Sequence, residues 1–111
     1  MKSKSRIFLQ FLKLNDMQKI NFGWFRESIA PHLRTYQINY RFYPIGDFGA
    51  LNQVSIESKE KGCEIDFWDS GRISIYLWDY QKEKVLLNKL LFPEQEVEKE
   101  MAFRELLTLL L

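Results

Sequence analysis

The sequence predicts an α+β fold: two N-terminal helices, an antiparallel meander of four to five strands, and a C-terminal helix packed on one face of the sheet. Three observations carry this expectation. Apolar residues recur at helical spacing towards both ends of the chain, they alternate with period two through its middle, and the segments joining the alternating runs are short enough for hairpins only.

The elements follow in order. In residues 4–15, Ile7, Phe8, Phe11 and Leu12 stand at i, i+1, i+4 and i+5, the stripe of an amphipathic helix. Phe22, Phe25, Ile29 and Leu33 mark a second helix capped near Asn21, which Pro31 should kink or weaken. "TYQINYRFY" then places Ile38, Tyr40 and Phe42 on one side of a strand, and "PIGDFGA" reads as a turn. Further strands are expected near 52–58, 63–68, 72–79 and 85–91. The chain closes on "FPEQEVEKEMAFRELLTLLL", with Pro93 at a first-turn position, Glu94 and Glu96 favouring the helix N-terminus, and Val97, Met101, Phe103, Leu106, Leu107 and Leu110 as the apolar stripe.

At 111 residues the chain is expected to form a single domain, residues 1–111, with one ordinary core. Its 46% apolar and 28% charged content belongs to the globular range. One cysteine, Cys63, excludes an internal disulfide and fits a reducing compartment. The basic-then-apolar start is interrupted by Gln10 and Lys13 and has no small-residue cleavage site, so it is not read as a signal peptide. No apolar run nears the roughly 20 residues of a membrane span. The expected compartment is the cytoplasm.

Net charge is +1, but it is unevenly spread: +6 over residues 1–45, −4 over 46–80 and −1 over 81–111. The acidic part coincides with the sheet. Within it, "CEIDFWDSGRISIYLWDY" (63–80) alternates aliphatic residues with acids and aromatics. A three-residue turn Asp69-Ser70-Gly71, with glycine at the left-handed position, pairs Phe67 with Ile73, Ile65 with Ile75 and Cys63 with Leu77. A two-residue turn would put acids in the apolar layer, and a one-residue slip inverts every side chain, so the longer turn is expected. A four-residue loop Lys59–Gly62 then pairs Ile56 with Ile65 and Val54 with Phe67.

The opposite face reads Glu57–Glu64–Tyr76, Ser55–Asp66–Ser74 and Gln53–Trp68–Arg72, with Trp78 at one end. Like charges across a strand pair are destabilising, within about 0.2–1 kcal/mol. Arg72 opposite Trp68 would hold the indole by a cation–π contact. Two readings of this face stand. Either it meets something basic, or its rings are covered by the N-terminal helices and their positive charge neutralises the acids.

Signals for catalysis are weak. His32 follows Pro31 at a helix end, where a surface role is expected, and Cys63 points to the core side of its strand. Glu57, Glu64 and Asp66 have no accompanying nucleophile, phosphate loop or metal-ligand spacing. An enzyme is not expected, and no cofactor or metal. "GDFG" (46–49) has the outline of a backbone-clamping loop but carries Asp47 and Phe48 in place of basic residues. The alternative to a protein partner is a nucleic-acid-binding module or regulatory adaptor using the basic N-terminal helices. The dispersal of their Lys and Arg through apolar stripes argues against it.

Residues 48–107 resemble small immunity proteins of bacterial polymorphic-toxin and contact-dependent growth-inhibition systems. The resemblance rests on the Val54/Ile56/Glu57/Ser58 strand, Gly62, the Ile65-Asp66-Phe67-Trp68 strand, Gly71, Ile73/Ile75, and the acidic helix from Pro93 to Phe103 and Leu106-Leu107. It implies a cytoplasmic, non-enzymatic protein that binds and blocks a cognate toxin domain, a basic nuclease being the expected kind. The expected contact set is Glu57, Glu64, Asp66, Trp68, Arg72, Tyr76 and Trp78. Acids there would steer encounter and rings would anchor, over the roughly 800 Å² each partner gives to a standard interface.

Overall fold

The computed structural model describes residues 19–111, and the expected helix over 4–15 lies outside them. The described residues fall into two compact units, one of 19–34 with 96–111 and one of Thr35–Gln95.

The sheet unit is a five-stranded antiparallel meander in the order β1-β2-β3-β4-β5: β1 Gln37–Tyr43, β2 Leu51–Glu57, β3 Lys61–Trp68, β4 Ile73–Asp79 and β5 Lys84–Leu91. The β3–β4 turn has the expected form. Gly71 N–H donates to the Trp68 carbonyl (2.9 Å), Trp68 N–H donates to the Arg72 carbonyl (3.0 Å), and Gly71 has φ +100°. Phe67 faces Ile73, Ile65 faces Ile75 and Cys63 faces Leu77, as the apolar pairing requires.

The β2–β3 turn corrects the sequence reading. Only Lys59 and Glu60 lie in the loop: Ser58 N–H donates to the Lys61 carbonyl at 2.9 Å, and Ser58 Oγ accepts from the backbone N–H of Glu60 and Lys61. Val54 therefore pairs with Ile65 and Ile56 with Cys63, two residues away from the expected register. Because the slip is even, every side chain keeps its face. The aliphatic rows become Val54–Ile65–Ile75 and Ile56–Cys63–Leu77, all buried, with Phe67, Ile73, Leu87 and Leu91 completing the layer. In β5 an extra residue, Leu86, lies between Leu87 opposite Leu77 and Val85 opposite Trp78, so the bulge sets those two neighbours on opposite faces.

In the other unit, Asn21 caps α1 (Phe22–Trp24) as expected, its Oδ1 accepting from Trp24 N–H at 2.9 Å. The turns then widen to a π-helix over Phe25–Ile29 and tighten to a 3-10 turn at Ala30–His32. This agrees with Pro31, which has no N–H to donate and whose ring crowds the preceding turn. Helix α2 spans Glu96–Leu110. It begins beyond Pro93, which instead sits in a turn where Gln95 N–H donates to the Phe92 carbonyl and Gln95 Oε1 accepts from Phe92 N–H. The buried stripe is Lys99, Ala102, Phe103, Leu106, Leu107 and Leu110, whereas Val97 and Met101, expected within it, are exposed. Trp24 and Phe103 meet edge to face, ring centroids 5.2 Å apart.

Candidate functional site

The sheet face opposite the aliphatic layer is built by strand parity from Gln53, Ser55 and Glu57 on β2, Gly62, Glu64, Asp66 and Trp68 on β3, and Ser74, Tyr76 and Trp78 on β4. Its rows are Ser55–Glu64–Tyr76, Gln53–Asp66–Ser74 and Glu57–Gly62–Trp78. The expected opposition of Glu57 and Glu64 is therefore absent, and Glu57 faces a glycine. None of the seven expected contact residues is buried. Tyr76 is 41% exposed, and both tryptophans are half-buried.

The seven residues do not form one patch. Glu57, Glu64, Tyr76 and Trp78 gather around a concavity of about 460 Å³, lined also by Ser55, Gly62, Cys63 and Tyr80. Trp68 lies six residues along β3 from Gly62, about 20 Å away at strand spacing. There Arg72 does not stack on Trp68 as expected. Its guanidinium sits over the Phe48 ring at 3.7 Å and near the Phe92 ring at 4.8 Å, while Phe48 meets Trp68 edge to face at 5.3 Å. The "GDFG" turn thus supplies a ring to this end of the face. Gly49, at φ +106°, lies where a Cβ would run into the Asp69 side chain.

Between the two ends, the Gln53 amide donates to Glu64 Oε2 (3.1 Å) and to Asp66 Oδ1 (3.0 Å). One neutral side chain so holds two carboxylates that are i and i+2 on one strand. Neither these acids nor Glu57 forms an ion pair with a described residue. Burial, and then the neighbouring Asp66 charge, push the Glu64 carboxyl above its ordinary 4.5, with Arg41 opposing. Burial likewise raises Asp66 from 3.8, against the Gln53 hydrogen bond. Both shifts are led by burial, which disfavours the charged form.

The floor of the concavity depends on two residues outside the expected set. Tyr80 Oη donates to Glu57 Oε1 at 2.7 Å, and the ring crosses Gly62 so closely that a Cβ there would stand 2.3 Å from Oη. The hydrogen bond to Glu57 raises the Tyr80 phenol above its ordinary 10.0. The sequence signal for this arrangement is a glycine inside a strand beside aromatics on the next one, a pairing that protects an uncovered backbone.

Other candidates stay as the sequence placed them. His32 is exposed at the end of its turn. Cys63 is buried, and that burial, with Glu57 and Glu64 nearby, pushes its thiol up to about 12, so it is neither nucleophile nor ligand at neutral pH. Among the described residues no group of three or more His, Cys, Asp or Glu is placed to hold a metal ion. No described helix is long and apolar enough to cross a membrane. What the face offers chemically is hydrogen-bond acceptors and π-surfaces. No family model, curated protein or solved structure matches the chain.

Proposed function

We propose that the protein is a non-enzymatic immunity protein of the cytoplasm that binds a cognate toxin domain, a basic nuclease, and blocks it through the acidic and aromatic face of β2–β4. The observation that carries this reading is the set of three carboxylates, Glu64 exposed and Glu57 and Asp66 half-buried, beside Tyr76 and Trp78 and without an ion-pair partner among the described residues. Nuclease active sites are basic because they hold phosphate, so such a face complements them. The resemblance of residues 48–107 to immunity proteins points the same way. The acids speed encounter and fix orientation, and the rings supply desolvated contact at the centre.

The test is capture of the toxin domain encoded beside this gene, comparing wild type with a Glu64→Lys, Asp66→Lys double variant. Capture is expected to fall by at least tenfold, with the variant still folded by circular dichroism. Unchanged capture by the folded variant discards the face. Retention of the wild-type protein on a polyanion column, falling steeply with salt, would favour the nucleic-acid alternative.

A further inference from the structure

We propose that the concavity at the end of this face beside the β2–β3 turn is a receptor for a single arginine side chain of the partner. The inference deepens the function proposed above and rests on it for the identity of the partner as a protein.

Three features select the occupant. The first is shape. At about 460 Å³ the concavity lies within the roughly 300–1,000 Å³ of small-ligand sites, so it accepts one side chain and not a whole element. The second is its walls. Tyr76 and Trp78 are alternate residues of β4, about 6.7 Å apart at strand spacing, and Tyr80 adds a ring from the turn just beyond the strand. That gap is close to twice the roughly 3.5–4 Å contact distance of a flat group against a ring. A planar cation enters such a slot face-on, whereas a tetrahedral ammonium does not fill it. The third is charge. Glu57 and Glu64 stand diagonally across β2 and β3, about 7–8 Å apart at the backbone, so that a forked donor can reach one with each arm.

The site is also held in shape before anything enters. Tyr80 fixes Glu57 by its 2.7 Å hydrogen bond, and Gln53 fixes Glu64 at 3.1 Å. Each carboxylate keeps its second oxygen for an incoming donor. Gly62 is the residue that permits this, because the phenol occupies the space of its absent Cβ. Ser55 adds a hydroxyl at the rim, opposite Glu64.

The experiment titrates the ¹⁵N-labelled full chain with N-acetyl-arginine methylamide, and in parallel with its lysine and citrulline counterparts. The expected result is saturable shifts of the Gly62 amide and the Trp78 indole N–H with the arginine probe, at least about fivefold weaker binding of the lysine probe, and none of the citrulline probe. Glu57→Gln keeps an acceptor for Tyr80 and removes the charge, and is expected to weaken the arginine probe about tenfold. Equal shifts with citrulline, or no saturable shift at Gly62 and Trp78 in the folded wild type, overturn the proposal. These outcomes separate from the capture test. If the probe fails while Glu64→Lys, Asp66→Lys abolishes capture, the arginine site falls and the face stands. If the probe binds while capture is indifferent to that double variant, the site stands as a guanidinium receptor and the proposed toxin-blocking face falls.

Discussion

Gly62→Ala is the substitution that most directly probes the floor of the acidic concavity. An added methyl would lie 2.3 Å from Tyr80 Oη, 2.8 Å from its Cζ and 3.0 Å from Glu57 Oε2. All three atoms are far ends of side chains, and Tyr80 is 45% exposed, so the phenol can swing into water without moving the backbone. The energetic consequences oppose one another. Losing the Tyr80–Glu57 hydrogen bond costs about 0.5–1.5 kcal/mol, towards the low end because both groups are solvated. Replacing glycine by alanine within a strand returns about 0.5–1 kcal/mol. The net change in stability is within about 1 kcal/mol, a few degrees in melting temperature for a chain of this size.

The local change is large by comparison. In the wild type Tyr80 titrates above its ordinary 10.0, because deprotonation must break its donation to Glu57 and set two negative charges together. In Gly62→Ala that titration is expected to fall back towards the ordinary value, read from the ring carbons of ¹³C-labelled tyrosine, with Tyr80→Phe assigning the signal. A thermodynamic cycle adds a sign test. In a Tyr80→Ala background the two closest contacts of the methyl are gone and the third, Glu57 Oε2 at 3.0 Å, belongs to a mobile side-chain end, so alanine at 62 should stabilise by about 0.5–1 kcal/mol. A folded Gly62→Ala protein whose Tyr80 titration is unmoved would refute the packing of phenol over glycine. So would a loss of several kcal/mol, which would mean that the backbone, not the side chain, had to yield.

Gly71→Ala is expected to be the costlier glycine change, by about 1–2 kcal/mol in urea denaturation, since φ +100° disfavours any side chain and the new Cβ would sit 3.2 Å from Pro93 Cβ. Cys63 is expected to resist thiol reagents in the native state and to react at the rate of unfolding, because it is buried and its thiol is pushed up to about 12. Rapid labelling under native conditions would contradict the register that turns it inward. For pH, Glu64 and Asp66 carry raised values in the folded state, so the fold binds more protons than the unfolded chain just above their ordinary 4.5 and 3.8. Their contribution to stability is fully present below those values and is lost as pH rises through the raised ones; Glu64→Gln with Asp66→Asn should flatten that decline in calorimetric melts. Asp79 has the opposite sign. Its carboxylate accepts from the backbone N–H of Lys82 and Gln81, its value is lowered, and its contribution disappears as pH falls below 3.8 through the lowered one.

The faces of the sheet were legible in the sequence because parity is a strong constraint. With Asp69-Ser70-Gly71 as the turn, only one phase keeps Ile65, Phe67, Ile73, Ile75 and Leu77 together, and the structure has that phase. The β2–β3 register was not legible by the same means. Moving β3 by two residues leaves every residue on its face, so hydrophobic pattern cannot distinguish a four-residue loop from the observed Lys59-Glu60 loop. What decides it is local: Ser58 at the first position of the turn, with its hydroxyl accepting from the two amides beyond. Gly62, read as loop, belongs to β3. Its role depends on Tyr80, which lies eighteen positions on, and a one-dimensional pattern does not join them. Arg72 fails for a similar reason, since the ring it chooses, Phe48, comes from a turn whose path periodicity does not describe.

The register correction changes the physical basis of the functional reading. With Glu57 directly opposite Glu64, the face would have been explained by cross-strand repulsion retained against stability. In the observed pairing the fold has already relieved that contact: Glu57 faces Gly62, Glu64 faces Ser55, and Asp66 faces Gln53. Polar, uncharged neighbours hold the acids by hydrogen bonds, and Arg41, beside Gln53 in the same row, acts on Glu64 through its charge without forming an ion pair. Gln53 orders Glu64 and Asp66 by hydrogen bonds that a lysine or arginine at position 53 could have replaced with an ion pair. A neutral donor fixes geometry without forming an ion pair, so a cation reaching this face would meet carboxylates already placed. Repulsion between Glu64 and Asp66 is therefore a consequence of an arrangement that the single side-chain amide of Gln53 holds, as the phenol of Tyr80 holds Glu57.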